Sequence, residues 1–401
     1  MSNKQLPAYT LLDNQNKLHQ FREENQGISW LCFDTEFIGE KRYHTSLCLI
    51  QVMTEHGLYL IDPLEINDLR PFVQFMEDES VVTITHAGEN DYRLLYSQFD
   101  VIPKNIFDTQ IAAAFAGHKY PVSFRKLVES ELDIQLNKSH AVTDWESRPL
   151  SKKQIQYALD DVLPLYDLWL SLQRQLEERN RTHWAKEEFA LLESPDFYYR
   201  DPNREALKSE LMRSLNKREK VFLMRLLNWR EATAERRNHS REMVLSSKWL
   251  SHLVRGISSG KEALYRNRRI PDKIVSKHGA LFEELFHEPA SEEEKALLKQ
   301  LKKPKGDDPR EDMLQELLYL LVKYKCLEND ITPLMVMPKN AIKKLQEGDE
   351  ELEQSLKAGW RRELLGDALV DWLQNFDRLD LKVVDNRIEL LLKDLKSNGQ
   401  R

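Results

Sequence analysis

Up to about residue 195 the chain alternates short apolar runs with amphipathic stretches; beyond it the periodicity is helical. Residues 28–37 (Ile-Ser-Trp-Leu-Cys-Phe-Asp-Thr-Glu-Phe) predict a strand that ends in acids. Residues 46–53 and 57–62 predict two more strands, and the Thr54-Glu55-His56-Gly57 turn between them predicts a hairpin. Residues 81–85 form a β-branched run, and after Ala87-Gly88 the spacing of Tyr92, Leu94, Leu95 and Phe99 is helical. Ile106-Phe107 opens a short strand that gives way to an alanine-rich helix. Residues 151–178 read as helix with Ser151 as N-cap. Strands followed by strand–helix alternation predict an α/β layer domain with a mixed sheet.

Ser194-Pro195-Asp196 and Asp201-Pro202-Asn203 then read as a linker. Residues 205–288 show helical spacing without strand signal, 289–310 read as a second linker, and 311–375 are helical again. At 401 residues this fits two or three domains. We divide them as 1–195 α/β, 206–290 and 310–376 all-helical, with a tail at 377–401 that carries no functional signal. No apolar run approaches membrane-spanning length, and Met-Ser-Asn-Lys-Gln-Leu-Pro lacks the apolar core of a signal peptide. Cys32, Cys48 and Cys326 are odd in number and widely spaced, so they read as reduced buried thiols. The expected compartment is the cytoplasm.

The net charge of −7 argues weakly against a polyanionic partner, but its distribution changes that picture. Residues 1–205 carry −12, residues 206–290 carry +8 and residues 291–401 carry −3. The middle segment is where polyanion binding is expected, against the plainer alternative of a solvated basic helix face.

Three patterns hold the candidate chemistry. In a strand, residues i and i+2 share a face, so Asp34 and Glu36 project together. Asp91 falls in the first turn of its helix, where the helix dipole favours negative charge. Tyr157 and Asp161 share one helix face at i and i+4. Folded onto one sheet edge, these segments would bring four carboxylates and a phenol together. Such a set suits two Mg²⁺ or Mn²⁺ ions about 4 Å apart, one activating a water and one stabilising a leaving 3′ oxygen, which suggests phosphodiester hydrolysis. A phenol titrates near pH 10, so Tyr157 would orient the water and not act as its base.

With these motifs in order, the sequence resembles the DEDD superfamily of 3′→5′ exonucleases, and within it the ribonuclease D family. The resemblance rests on Phe33-Asp34-Thr35-Glu36-Phe37, His86-Ala-Gly-Glu-Asn-Asp91, Asp108-Thr-Gln-Ile-Ala-Ala-Ala-Phe, Thr143-Asp-Trp-Glu-Ser-Arg-Pro-Leu and Tyr157-Ala-Leu-Asp-Asp161-Val. It covers residues 1 to about 195 and implies a ribonuclease H-like mixed-sheet exonuclease domain. The superfamily places a Tyr four residues, or a His five residues, before its last Asp. Counting back from Asp161 gives Tyr157, the tyrosine subtype, whereas counting back from Asp160 gives no usable partner. The resemblance implies Asp34, Glu36, Asp91 and Asp161 as ligands of two divalent cations and Tyr157 as their catalytic companion.

Other residues keep two readings. Asp108 either supports the site or caps the following helix, with capping favoured. His86 either contacts substrate or is a hydrogen-bonded structural histidine. His140 lies in a polar loop with Lys138 and Ser139, where solvation is the better reading. Trp145 and Arg148 either build their loop or approach substrate. Farther on, Trp229-Arg230-Glu231 and Ala234-Glu-Arg-Arg237 resemble the start of an HRDC domain, a small helical bundle. Gly359-Trp360-Arg361 with Asn340-Ala-Ile-Lys-Lys resembles a second, more divergent one that could be a spacer or a clamp. Arg236, Arg237, Arg241, Arg268 and Arg269 could hold RNA phosphates. The resemblance implies a monomeric 3′→5′ exoribonuclease that trims structured RNA such as tRNA precursors and releases nucleoside 5′-monophosphates. A DNA 3′→5′ exonuclease and a catalytically silent RNA-binding adaptor are the alternatives. The completeness of the five-residue set argues against the silent one.

Overall fold

The computed structural model describes residues 6–136, 144–199, 201–207, 209–301, 309–346, 349–374, 379–384 and 387–392. The chain packs as two compact units, one made of residues 1–36, 48–197 and 306–401, the other of residues 37–47 and 198–305.

The first unit is built on a six-stranded sheet of order β1-β4-β3-β2-β5-β6. The strands are β1 (Thr10–Leu12), β2 (Trp30–Ile38), β3 (Ser46–Thr54), β4 (Gly57–Ile61), β5 (Val82–Thr85) and β6 (Ile106–Asp108). The expected hairpin forms: β3 and β4 pair antiparallel from Ile50↔Ile61 to Thr54↔Gly57. The pairs β2–β5 and β5–β6 are parallel, as is β1–β4, so the sheet is mixed. Central β3 is buried from Leu47 to Val52, which explains its largely apolar run, interrupted by the buried Gln51.

Helices cover both faces. Alternation along β2 sends Phe33 and Trp30 to opposite sides. Phe33 packs on Phe72 of α2 (Arg70–Met76) and Tyr92 of α3 (Glu89–Phe99), with ring centroids 6.2 and 5.7 Å apart. On the other side Trp30 stacks on Tyr166 at 4.3 Å. Several elements of this unit were not expected from the sequence, among them β1 and the helices Gln15–Glu24, Arg70–Met76, Phe124–Leu132 and Thr182–Leu192. The stretch expected as one helix over 151–178 is two, Lys152–Val162 and Leu165–Glu178. The break falls at Pro164, which has no amide to donate and crowds the preceding turn.

Residues 306–401 belong to the same unit. Their helix Trp360–Leu365 packs on the helix Thr182–Leu192. Trp360 is fully buried, edge-on to Phe115 at 4.8 Å and 6.0 Å from Trp184. Its indole N–H and the Arg361 guanidinium both donate to Glu188 at 2.7 Å, and its backbone N–H donates to Glu187 at 3.0 Å. Gly359 has φ of +83°, a left-handed conformation that L side chains rarely adopt, and a Cβ there would also press on the Glu187 carboxylate, so the turn favours glycine. Part of the segment expected as a tail is an antiparallel hairpin, Leu379–Val384 with Arg387–Leu392.

The second unit is helical around the 21-residue helix Lys217–Arg237, opened by an Asn216–Glu219 capping box. Phe222, Leu223, Met224 and Leu226 are buried with Leu253, Val254 and Phe282. The stretch 289–310, expected as a linker, contains the helix Glu292–Lys299. Ser291 caps it reciprocally with Glu294, and its three first-turn glutamates favour the dipole, so the acid run that suggested a linker starts a helix.

Candidate active site

Asp34 and Glu36 stand on the outer end of β2, beyond its last paired residue with β5, Cys32. Asp161 comes from the helix Lys152–Val162, which we label α6, started by a Ser151–Gln154 capping box. One carboxylate oxygen from each of Asp34, Glu36 and Asp161 lies within 4.8 Å of the others. All three remain partly exposed, so the cluster is open to solvent. Asp160, the competing acid, instead accepts from Gln156 one turn earlier at 2.7 Å.

Asp91 arrives from the first turn of α3 and is buried. The Thr35 hydroxyl donates to its carboxylate. Asp91 also bears on the cluster: after burial, its negative charge does most to raise the Asp34 carboxyl. Tyr157 donates from its phenol to Asp161, and its ring lies 5.9 Å from that of Trp145.

The electrostatics are those of acids crowded without counter-charge. Burial, then Asp91, Asp161 and Glu36, push the Asp34 carboxyl well above the usual range. Burial, then Asp161 and Asp91, raise Glu36 to about 8. Asp91 and Asp161 are each raised to about 6, mainly by burial, and their hydrogen bonds from Thr35 and Tyr157 oppose that rise. Burial and the neighbouring carboxylates push the Tyr157 phenol upward, so it stays protonated and donates. Hard oxygen ligands in such a cluster fit a divalent cation, whose charge would offset their repulsion.

The surrounding residues separate into distinct roles. Asp108 caps the helix Thr109–Phe115, accepting from Gln110 and Ile111 backbone N–H groups. It also accepts from Ala87 and Gly88 at 3.1 and 2.9 Å, and so holds the turn that leads to Asp91. Cap and support are therefore both true of it. His86 has one ring nitrogen 2.9 Å from the Thr109 hydroxyl and the other 3.1 Å from the Val122 carbonyl, which leaves neither for substrate. Trp145 is buried against Tyr157.

Arg148 uses all of its donors inside the protein. Nε and Nη2 grip Asp62, Nη2 also reaches the Cys48 carbonyl, and Nη1 donates to the Trp145 and Ser147 carbonyls. A guanidinium has five N–H groups, so none remains for a phosphate, and the loop-building reading fits these contacts. His140 lies outside the described residues.

In the second unit, Arg236 and Arg237 are exposed at the end of their helix, as are Arg268 and Arg269 in a turn before Pro271. Burial, then Lys277 and Arg237, depress the proton affinity of His278, so basic side chains from two helices approach it. Arg241 is different: it forms a two-point ion pair with Glu231, to which Tyr43 also donates at 2.8 Å. Its charge is largely spent within the protein.

Comparison with known proteins places this geometry. A model of the 3′-5′ exonuclease family matches residues 9–177. Ribonuclease D of Bartonella henselae is 33% identical over 84% of this chain and 83% of its own. Ribonuclease D of Pseudomonas paraeruginosa is 32% identical over 86% of this chain and 92% of its own. Among solved structures, Escherichia coli RNase D, described as an exoribonuclease involved in structured RNA processing, superposes with a TM-score of 0.80 at 25% identity, covering 92% of this chain and all of that one. The mixed-sheet exonuclease fold followed by helical bundles is thus the architecture expected from the sequence.

Proposed function

This chain belongs to the ribonuclease D family and is an exoribonuclease, and on that premise we propose that it trims structured RNA from the 3′ end at a two-cation site. The observation that carries the reading is the convergence of Asp34, Glu36 and Asp161 within 4.8 Å, with Asp91 beside Asp34. Asp34, Glu36 and Asp161 would hold one Mg²⁺ or Mn²⁺, and Asp34 with Asp91 a second. When bound, such cations activate water and offset charge on the leaving 3′ oxygen. The protein's part is positional. The phenol of Tyr157 donates its one proton to Asp161 and can accept a hydrogen bond from the attacking water, which orients that water, and the open edge of the cluster admits the RNA terminus.

The proposed domains, residues 1–195, 206–290, 310–376 and 377–401, would take separate tasks. Arg236, Arg237, Arg268 and Arg269 of the basic segment bind RNA phosphates, which the acidic catalytic segment is ill suited to do. Precursor tRNAs with 3′ extensions are the substrates of choice, nucleoside 5′-monophosphates are the products, and the enzyme works as a cytoplasmic monomer. Three buried free cysteines agree with a reducing compartment, and among the described residues no helix is long and apolar enough to cross a membrane.

The test is a time course on a 5′-labelled, 3′-extended tRNA, beside a DNA strand of matched sequence, in Mg²⁺ and in EDTA. Stepwise shortening of the RNA with release of 5′-monophosphates, abolished by EDTA, is the expected result. Shortening that persists in EDTA overturns the metal site, and preference for the DNA strand overturns the RNA assignment.

A further inference from the structure

Thr35 stands between the two acids of β2, and strand alternation turns its side chain to the face opposite Asp34 and Glu36. It is buried, on the side where Phe33 meets Tyr92 of α3. Its hydroxyl donates to Oδ1 of Asp91, and its backbone N–H bonds the carboxylate of Asp34. One residue therefore touches both acids that belong to different elements. Asp91 needs such a tie. It is the one acid of the four outside the tight cluster formed by Asp34, Glu36 and Asp161 among the described residues. A carboxylate offers about four lone-pair sites on its two oxygens. The Thr35 hydroxyl occupies one site on Oδ1 and the Asp91 backbone N–H another on the carboxylate, which leaves about two of the four.

We propose that Thr35 is a positioning residue: its hydroxyl fixes the rotation of the Asp91 carboxylate so that the remaining lone pairs are presented toward Asp34 and complete the second cation site. This rests on the two-cation reading above. A residue that only filled space would serve equally well as valine, which has nearly the same shape. A residue that orients a ligand would not. Serine keeps the hydroxyl and loses only the methyl.

The experiment uses the full chain and Mn²⁺ as probe. Calorimetric titration without RNA should show Thr35→Val weakening the lower-affinity Mn²⁺ event by about 10–100-fold, the usual effect of removing a partner of a metal ligand. The higher-affinity event should stay unchanged. At limiting Mn²⁺ the same variant should lose kcat while KM for RNA holds, and Thr35→Ser should behave as wild type in both assays. Thr35→Ala removes the hydroxyl without adding bulk, so it decides the matter should the valine variant fail to fold. Wild-type Mn²⁺ affinity in the valine or alanine variant overturns the proposal, as does equal loss in the serine variant. A wild-type chain that binds no Mn²⁺ or hydrolyses no RNA would instead overturn the underlying function, which the same titration reveals separately.

Discussion

Tyr157 and Asp161 stand one turn apart on α6, and the phenol donates to the carboxylate. Because burial and the nearby acids keep that phenol protonated, it is a donor at neutral pH and not a base. Tyr157→Phe should therefore lower turnover by about 100-fold or more even at saturating Mn²⁺, the scale of a lost positioned group. Single-turnover rates beside Mn²⁺ titration check this. Wild-type turnover in the variant would remove Tyr157 from the reaction.

Burial and then the charges of Asp91, Asp161 and Glu36 raise the Asp34 carboxyl. Asp34→Asn should abolish hydrolysis, because it would be shared by both cations. It should also relieve repulsion in the metal-free chain, so the EDTA-treated variant should melt above EDTA-treated wild type. RNA affinity should hold. A variant that still cleaves, or that loses RNA binding instead of chemistry, would contradict the assignment.

How far the sequence foretold this site depended on the kind of contact. Asp34 with Glu36, and Tyr157 with Asp161, are local pairs whose shared face follows from strand and helix period alone. Choosing Asp161 over Asp160 needed only the spacing to Tyr157, and the observed Gln156–Asp160 bond is its structural counterpart. Contacts across long separations were not legible. Arg148 is spent on Asp62, 86 residues away, and neither residue's own neighbourhood signals the other. Likewise the Gly359-Trp360-Arg361 stretch was legible as a motif, but not as an anchor on Glu187 and Glu188. Short β1 lacked a distinctive pattern of its own and is defined by pairing with β4. Thr35 was hidden for a related reason: its partner lies 56 residues on, although its inward face was computable from strand alternation.

Arg148→Ala would leave the buried Asp62 carboxylate without its partner. Stripping one member from a buried pair costs about 3–5 kcal/mol, and Arg148 is partly exposed, so the lower end applies. Chemical denaturation should show that loss, while RNA affinity of the folded variant stays near wild type. A stable variant with weakened RNA binding would return Arg148 to the substrate path.

Arg236 and Arg237 end their helix with both side chains exposed. If they contact phosphates, changing both to alanine should reduce the slope of log affinity against log salt by about 0.7 per single-strand contact or 0.9 per duplex contact. Affinity should fall and kcat at saturating RNA should not. Arg241→Ala should affect stability more than the salt slope, because that guanidinium already pairs with Glu231. Filter binding over a salt series separates the two, and an unchanged slope in the double variant would place the RNA surface elsewhere.

The raised acids also make stability depend on pH in a sense opposite to that of an ion-paired carboxylate. In the folded chain Asp91 and Asp161 titrate at about 6 and Glu36 at about 8, above their ordinary values of 3.8 and 4.5. Without metal these three acids bind more protons in the folded state than in the unfolded one between about pH 4 and pH 8, so their contribution to stability is greatest below that window and declines through it. Saturating Mn²⁺ should suppress the decline, because it keeps the carboxylates ionised in the folded state at no cost in repulsion. Melting temperatures taken across the window in EDTA and in Mn²⁺ measure both effects. Glu36→Gln isolates the upper part: its EDTA curve should flatten between about pH 6 and pH 8 relative to wild type, while other titrating groups contribute equally to both chains. A variant curve as steep as wild type there would mean that Glu36 is not the strained acid the cluster makes it.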